Sequence, residues 1–228
     1  MNRSEQGERS PGAGDAGARP GDEALDAART CLLVFDLLEG HVNKDAESRA
    51  RFAPVIANAR RILDAARRAA AMIAFAHADH RPGTSARTLR DTDNRLRPID
   101  PSDPKSHEPL LLGGTPQTRV VAELAPRAGE VLVPKLRWSA FHGTPLDKLL
   151  RTRGADTIVL VGGSTDVGIA STAFAARDLD YNVVIVSDGC TSPERDNHEQ
   201  MMARVFPRMA RVRTTEQVIA MFNAGGKA

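Results

Sequence analysis

The chain has 228 residues and a net charge of only +2, although 26% of it is charged, and aromatic residues make up 4%. That length suffices for one domain with a substantial core. The balanced charge and scarce aromatics argue against a nucleic-acid interface, and no apolar run approaches the roughly 20 residues of a membrane-spanning helix.

Residues 1–29 are rich in Gly, Pro, Ser and charge and have no apolar centre. They read as a disordered tail rather than a secretory leader, so the folded domain is expected over 30–228. The two cysteines, Cys31 and Cys190, fit a reducing cytosol better than a disulfide framework, and a cytoplasmic location is expected.

Thr30–Asp36 is an apolar strand ending at a carboxylate. After a polar loop, Arg49 to Ala70 reads as a helix with Val55, Ile56, Ala59, Ile62, Leu63 and Ala66 inward, and Pro54 is expected in its first turn or at its true start. Ala71–Ala76 is strand two. From His77 to Gly114 the chain is polar and punctuated by Pro82, Pro98, Pro101, Pro104 and Pro109. So long a loop is usually a lid, a binding loop or a subunit contact. Thr115-Pro116 is a cap-plus-proline pair expected to open a helix to about Ala125. Glu130–Pro134 is strand three, and Thr144-Pro145 opens a helix closed by Gly154.

Thr157–Val161 is a continuous apolar run, the pattern of a strand buried on both faces. Gly162-Gly163 makes a turn, and Thr165 or Asp166 is expected to cap a helix to about Asp180. Asn182–Ser187 is strand five. Thr191-Ser192-Pro193-Glu194 has capping-box spacing before a helix to about Val205. Met209–Arg213 is a last strand, and Thr214 and Gln217 again have capping-box spacing before a helix to Asn223. Alternating strands and helices predict an α/β fold with a parallel sheet covered on both faces. A strand–turn–helix junction also aims backbone N–H groups at whatever lies above the strand end.

The segment GGSTDVGIASTAFAARDLDYNVVIVSDG resembles the signature of the isochorismatase-like hydrolase superfamily, a cysteine hydrolase family. LLVFD, ending at Asp36, and PKLRWSAFHGTPLDKLL, containing Lys135, are similar to two further family segments in the same order. The resemblance implies a three-layer α/β/α, Rossmann-like fold with a six-stranded parallel sheet in the order 3-2-1-4-5-6. Where most of the superfamily carries a nucleophilic cysteine, this chain has Gly168.

In amidase members the residue matching Asp36 is the base that activates the cysteine. In isochorismatase, which also lacks the cysteine, it is the acid that protonates a vinyl ether. Lys135 matches the lysine that sits beside that aspartate. Gly168, at the vacant nucleophile position, would offer an N–H and free space. The resemblance also implies a cis peptide at Gly163–Ser164 and an oxyanion pocket formed by the N–H groups of Ser164 and Gly168. Ser164 as a nucleophile fits poorly, because Gly162-Gly163-Ser164-Thr165-Asp166 fails the G-x-S-x-G elbow at its last place. The resemblance places His77 near a substrate-contacting position of isochorismatase, and Arg87 or Arg90 from the long loop are candidates to bind a substrate carboxylate. Trp138, the only tryptophan, reads as packing rather than a cofactor box and is counted with the substrate-facing residues.

The nicotinamidase pattern Asp-x-His-Pro is replaced here by Asp79-His80-Arg81-Pro82, so neither a metal nor any other cofactor is expected. Leu38 replaces the glutamine that commonly follows the first aspartate, and Ser164 replaces isochorismatase's tyrosine. The expected function is hydrolysis of a small carboxylated molecule by Asp36 acid catalysis, with isochorismate as the most concrete substrate and a homo-oligomer as the expected assembly. The alternatives are an amide hydrolase using water or Ser164, and a non-catalytic binding or assembly relative.

Overall fold

The computed structural model describes residues 23–81, 102 and 111–225. In chain order the elements are β1 (Thr30–Phe35), α1 (Glu39–Val42), α2 (Ala46–Arg68), β2 (Met72–Ala78), β3 (Val131–Lys135) and α3 (Leu146–Thr152). They continue with β4 (Thr157–Gly163), α4 (Ala170–Asp178), β5 (Asn182–Thr191), α5 (Arg195–Gln200), β6 (Arg211–Arg213) and α6 (Thr215–Gly225). The strands form one parallel sheet in the order β3-β2-β1-β4-β5-β6, as the resemblance implies. Pro134 sits in β3, an edge strand, where its missing N–H interrupts no ladder on the open side.

Strand alternation divides the core in two. Leu32, Val34, Phe75, Val159, Val161, Val184 and Val186 face α2 and α6. Cys31, Leu33, Phe35, Ile158, Leu160 and Ile185 face α3, α4 and the chain that follows α5. Each sheet face is therefore covered, as continuous apolar strands require.

Several expectations change. The segment 23–29 is not tail: Leu25 is buried and its N–H bonds the Met221 carbonyl (3.0 Å). The helix expected from Arg49 begins at Ala46, where the Asp45 carboxylate accepts from Ser48 N–H at 2.7 Å. Pro54 consequently lies inside α2 rather than in its first turn. Both Pro54 and Ala50 face solvent, so water can reach the carbonyl that the proline leaves unbonded.

The helix expected over 115–125 is instead two single 3₁₀ turns, Pro116–Thr118 and Ala122–Leu124. Val121 between them donates to the Leu37 carbonyl (3.1 Å), which draws the chain out of helical register. The capping box at Thr191–Glu194 does not form. Thr191 is still in β5, which runs past the polar Ser187-Asp188-Gly189 by way of a register shift against β4. The Thr214/Gln217 box does form, each residue's N–H bonded to the other's side chain (2.8 and 3.4 Å).

Candidate active site

β1 and β4 lie side by side at the centre of the sheet, where the strand order reverses and open parallel sheets bind their ligands. Their last pair is Phe35 with Gly162. Gly162 adopts φ +133°, and a Cβ there would lie 2.0 Å from the Phe35 carbonyl oxygen, so only glycine permits this approach.

Asp36 follows immediately, in a left-handed conformation (φ 49°). That geometry is uncommon for a residue with a side chain and is held here from several sides. Its N–H bonds the Ala76 carbonyl at 2.9 Å. Its carboxylate accepts from Ala78 N–H (3.0 Å) and from the Lys135 ammonium (2.6 Å). Both side chains of the pair are buried. Pairing of Ala78 with Lys135 across β2 and β3 delivers the lysine to this point. Lys135 Nζ also lies 4.5 Å from the centroid of the Phe35 ring, a cation–π contact.

Beyond Gly163 the Gly163–Ser164 peptide is cis, as the resemblance implies. The chain then enters a π-helical turn, Thr165–Ile169, continuous with α4. The N-cap residue is Ser164 rather than Thr165 or Asp166; its own side chain makes no cap bond, and the Asp166 N–H donates to Ser192 Oγ (3.3 Å). The first backbone bond runs from Ile169 N–H to the Ser164 carbonyl (3.0 Å), which leaves the preceding N–H groups of the turn without a partner in their own helix.

The two expected caps have other work. Asp166 accepts hydrogen bonds from the hydroxyls of Ser164 and Ser192 (2.6 Å from Ser192) and from the Asn197 amide (2.7 Å). Burial would raise its pKa, but these donors hold the carboxyl below the usual range. Thr165 Oγ1 lies 2.9 Å from His198 Nδ1. Ser164 is thus tied to a carboxylate, and the histidine on the facing helix is bonded to its neighbour.

Gly168 is not beside empty space. A Cβ there would lie 2.3 Å from Cε1 and 2.8 Å from Cζ of the buried Phe35 ring. The expected free volume is filled by that ring.

His77, in β2, has a buried Nδ1 without a hydrogen-bond partner. Burial pushes its pKa down, opposed by Asp79 and Asp36. His41, which the sequence did not single out, lies within electrostatic reach of Asp36, Lys135 and His80. Burial lowers its pKa too, with Asp36 opposing. Arg87 and Arg90 fall outside the described residues. Trp138 is 61% exposed, so the packing expected of it is absent. Its neighbour Ala140 is anchored by an N–H bond to Thr172 Oγ1 on α4 (3.0 Å).

Neither cysteine enters the site. Both are buried, and burial pushes each thiol up to about 12. Among the described residues, no three His, Cys, Asp or Glu side chains are grouped to hold a metal, and the Asp79 carboxylate is bonded by Arg81 (2.9 Å). No helix among them is long and apolar enough to cross a membrane.

Residues 30–217 match the Isochorismatase domain. The chain is 31% identical over 199 residues to YwoC, an uncharacterized isochorismatase family protein of Bacillus subtilis, covering 86% of this chain and 95% of the relative. It is also 31% identical over 182 residues to the ureidoacrylate amidohydrolase RutB of Methylorubrum extorquens, covering 75% of this chain and 73% of that one. An isochorismatase family protein from Burkholderia thailandensis superposes with a TM-score of 0.71 at 28% identity, covering 88% of this chain and 98% of the other. The domain match, the shared fold and the three motifs in order make the chain a member of the isochorismatase family of hydrolases, one with glycine at the nucleophile position.

Proposed function

We propose that the chain is a thiol-free hydrolase of a small carboxylated molecule, in which Asp36 moves the proton and Lys135 is its charged partner. The observation that carries this reading is the buried Lys135–Asp36 pair at 2.6 Å beside a position, Gly168, that bears no nucleophile. Low dielectric strengthens the pairing and leaves proton transfer as the chemistry open to it. The N–H groups of Ser164 and Gly168 would hold negative charge on the substrate, and His77 and the exposed Trp138 would face it.

The most concrete version is vinyl-ether cleavage of isochorismate. Asp36 donates its proton to the terminal methylene carbon, and water adds to the resulting oxocarbenium carbon. The hemiketal then releases pyruvate and a dihydrodiol. Lys135 stabilises the carboxylate left after donation. No cofactor enters this scheme, and a cytosolic location accords with it. Assembly as a homo-oligomer belongs to the same reading, supported by the exposed apolar side chains Leu132, Trp138 and Phe174.

One observation favours a second reading, amide hydrolysis by water with Asp36 as base: the likeness to a protein named ureidoacrylate amidohydrolase. The test is pyruvate release from isochorismate and ammonia release from ureido and carbamoyl amides, by the unaltered chain and Asp36→Asn in parallel. Pyruvate that disappears in the variant supports the first reading, and ammonia that disappears supports the second. Turnover unaffected by Asp36→Asn would sink the role given to Asp36, and no turnover of either class would favour a binding relative.

A further inference from the structure

We infer that Phe35 is a positioning residue of this site, and that residues 35 and 168 form one coupled unit in which the aromatic ring occupies the space a side chain at 168 would need and carries the Lys135 ammonium on its face. This deepens the proposed function and rests on it only for the word "site". Two independent contacts meet in one ring. Its edge, Cε1 and Cζ, lies where a Cβ on residue 168 would project, at 2.3 and 2.8 Å. Its face takes Lys135 Nζ at 4.5 Å from the centroid.

The ring has no freedom to yield. Phe35 is fully buried in the layer between the sheet and α4, with Ala170 and Ala173 of that helix in the same cluster. Its backbone is pinned between β2 and β4, paired with Ala76 and Gly162. A side chain cannot be added at 168 without moving the ring, and the ring cannot move without releasing Lys135. Conversely, a ring of this size at position 35 requires glycine at 168.

The consequence is specific. Glycine at 168 is not a single substitution that left an otherwise thiol-ready pocket. The space is filled, and the residue that fills it supports the ammonium that holds Asp36. A lysine beside a carboxylate needs a wall to prevent it from reaching for solvent, since a long aliphatic stem otherwise extends its charge into water. The ring face supplies that wall, and its quadrupole attracts the charge.

The test does not use turnover, so it can fail while the hydrolase reading stands, and the reverse. Urea unfolding is measured for Phe35→Val, Gly168→Ala and the double variant. Each single change should lower the midpoint, the first by opening a void and the second by overpacking. The double variant should recover at least half of the summed loss, because the added methyl enters the vacated space. Losses that simply add, or a double variant that does not fold when either single one does, would overturn the coupling.

A second arm places a cysteine as a reporter. Native-state alkylation by iodoacetamide at residue 168 should be at least tenfold faster in Phe35→Val/Gly168→Cys than in Gly168→Cys. If Gly168→Cys does not fold, the double variant is compared with its own urea-unfolded state and must show a protected but measurable rate. Equal rates in the two variants would show that the ring does not cover the position.

The positioning role has its own readout. Phe35→Leu keeps most of the apolar volume and should fold with a midpoint close to the unaltered chain. The Lys135 ammonium protons, followed by ¹⁵N NMR, should nevertheless exchange with water at least tenfold faster. Unchanged exchange would reduce Phe35 to packing and overturn the proposal.

Discussion

The Lys135 ammonium donates to the Asp36 carboxylate at 2.6 Å, with the two side chains 5% and 10% exposed. Removing one partner leaves the other charged, buried and uncompensated. Lys135→Met should therefore destabilise the fold by about 3–5 kcal/mol, the range for breaking a buried pair from one side. Asp36→Asn/Lys135→Met, which removes both charges, should recover much of that loss while leaving no turnover. Chemical denaturation of the two variants beside the unaltered chain checks the pattern. A double variant no more stable than Lys135→Met would show that desolvated charge is not what governs this pair.

The two functional readings differ in the direction of one limb of the pH–rate profile. A proton donor must carry its proton, so acid catalysis by Asp36 predicts that kcat/KM falls as pH rises. A base must be free of it, so amide hydrolysis predicts that kcat/KM rises with pH before reaching a plateau. In either case the limb should vanish in Asp36→Asn. A profile whose limb survives that substitution would assign the titration to another group, with His41 and His77 the first to test because both interact electrostatically with Asp36 and Lys135.

Much of this arrangement is legible in the sequence because it depends on periodicity and punctuation. The apolar runs Cys31–Phe35 and Thr157–Val161 can only be strands buried on both faces, and Asp36 and Gly162-Gly163 mark where they end. Asp36, Lys135 and the Gly163–Ser164 junction accordingly fall where the motifs put them. Phe35 is the instructive omission: in sequence it is one more apolar residue in a strand, and only three-dimensional proximity reveals that it fills the position over Gly168. His41 is hidden for a similar reason, since the four-residue α1 that carries it is too short to show a period and reads in sequence as a polar loop. Two of the misread segments share one cause. Thr115-Pro116 and Thr191–Glu194 have good local cap chemistry, but tertiary hydrogen bonds, Val121 to Leu37 in one case and β5 pairing with β4 in the other, override it.

Thiol chemistry should be dispensable. Both cysteines are buried with their thiols pushed up to about 12, so almost no thiolate exists at neutral pH. Treatment of the folded chain with iodoacetamide at pH 8 should leave activity unchanged and modify neither residue, whereas both should react in urea. Intact mass spectrometry reads the modification directly. Rapid loss of activity with one adduct on the native chain would contradict the thiol-free reading.

Asp166 should contribute to the acid limb of stability, beside Asp45, Glu130 and Asp156, whose carboxyls are also held low. Its carboxyl is held below the usual range by donors from Ser164, Ser192 and Asn197, against an opposing effect of burial. A carboxyl whose folded pKa is depressed contributes stability that is present above its unfolded value, about 3.9. That contribution is lost as pH falls from there through the folded value. Asp166→Asn should cost about 1 kcal/mol at pH 7, the scale of a net hydrogen-bond contribution at a part-buried site. It should also flatten the dependence of stability on pH below 4. Urea midpoints measured from pH 7 to pH 2.5 test both parts, and an unchanged acid limb would mean that other carboxylates dominate it.

A tight steric constraint lies at Gly162, between the two central strands. Its φ of +133° is a conformation that residues with a side chain rarely adopt. The Cβ of an alanine would also come within 2.0 Å of the Phe35 carbonyl oxygen, a backbone atom of the neighbouring strand. That oxygen cannot retreat as a flexible side chain would, because β1 is held by β2 on its other side. Gly162→Ala must therefore separate β1 from β4 where both strands deliver their site residues. The expected loss is about 3 kcal/mol or more, placing it among the large and diagnostic single-residue effects. Gly143→Ala provides the control: that position also has a positive φ (+69°), but nothing lies within 4 Å of an added Cβ, so only backbone strain is introduced. Thermal melts of the two variants separate the contributions, with Gly162→Ala unfolding at the lower temperature. Equal melting temperatures would show that the close approach of β1 and β4 can relax, and that φ alone accounts for the glycine.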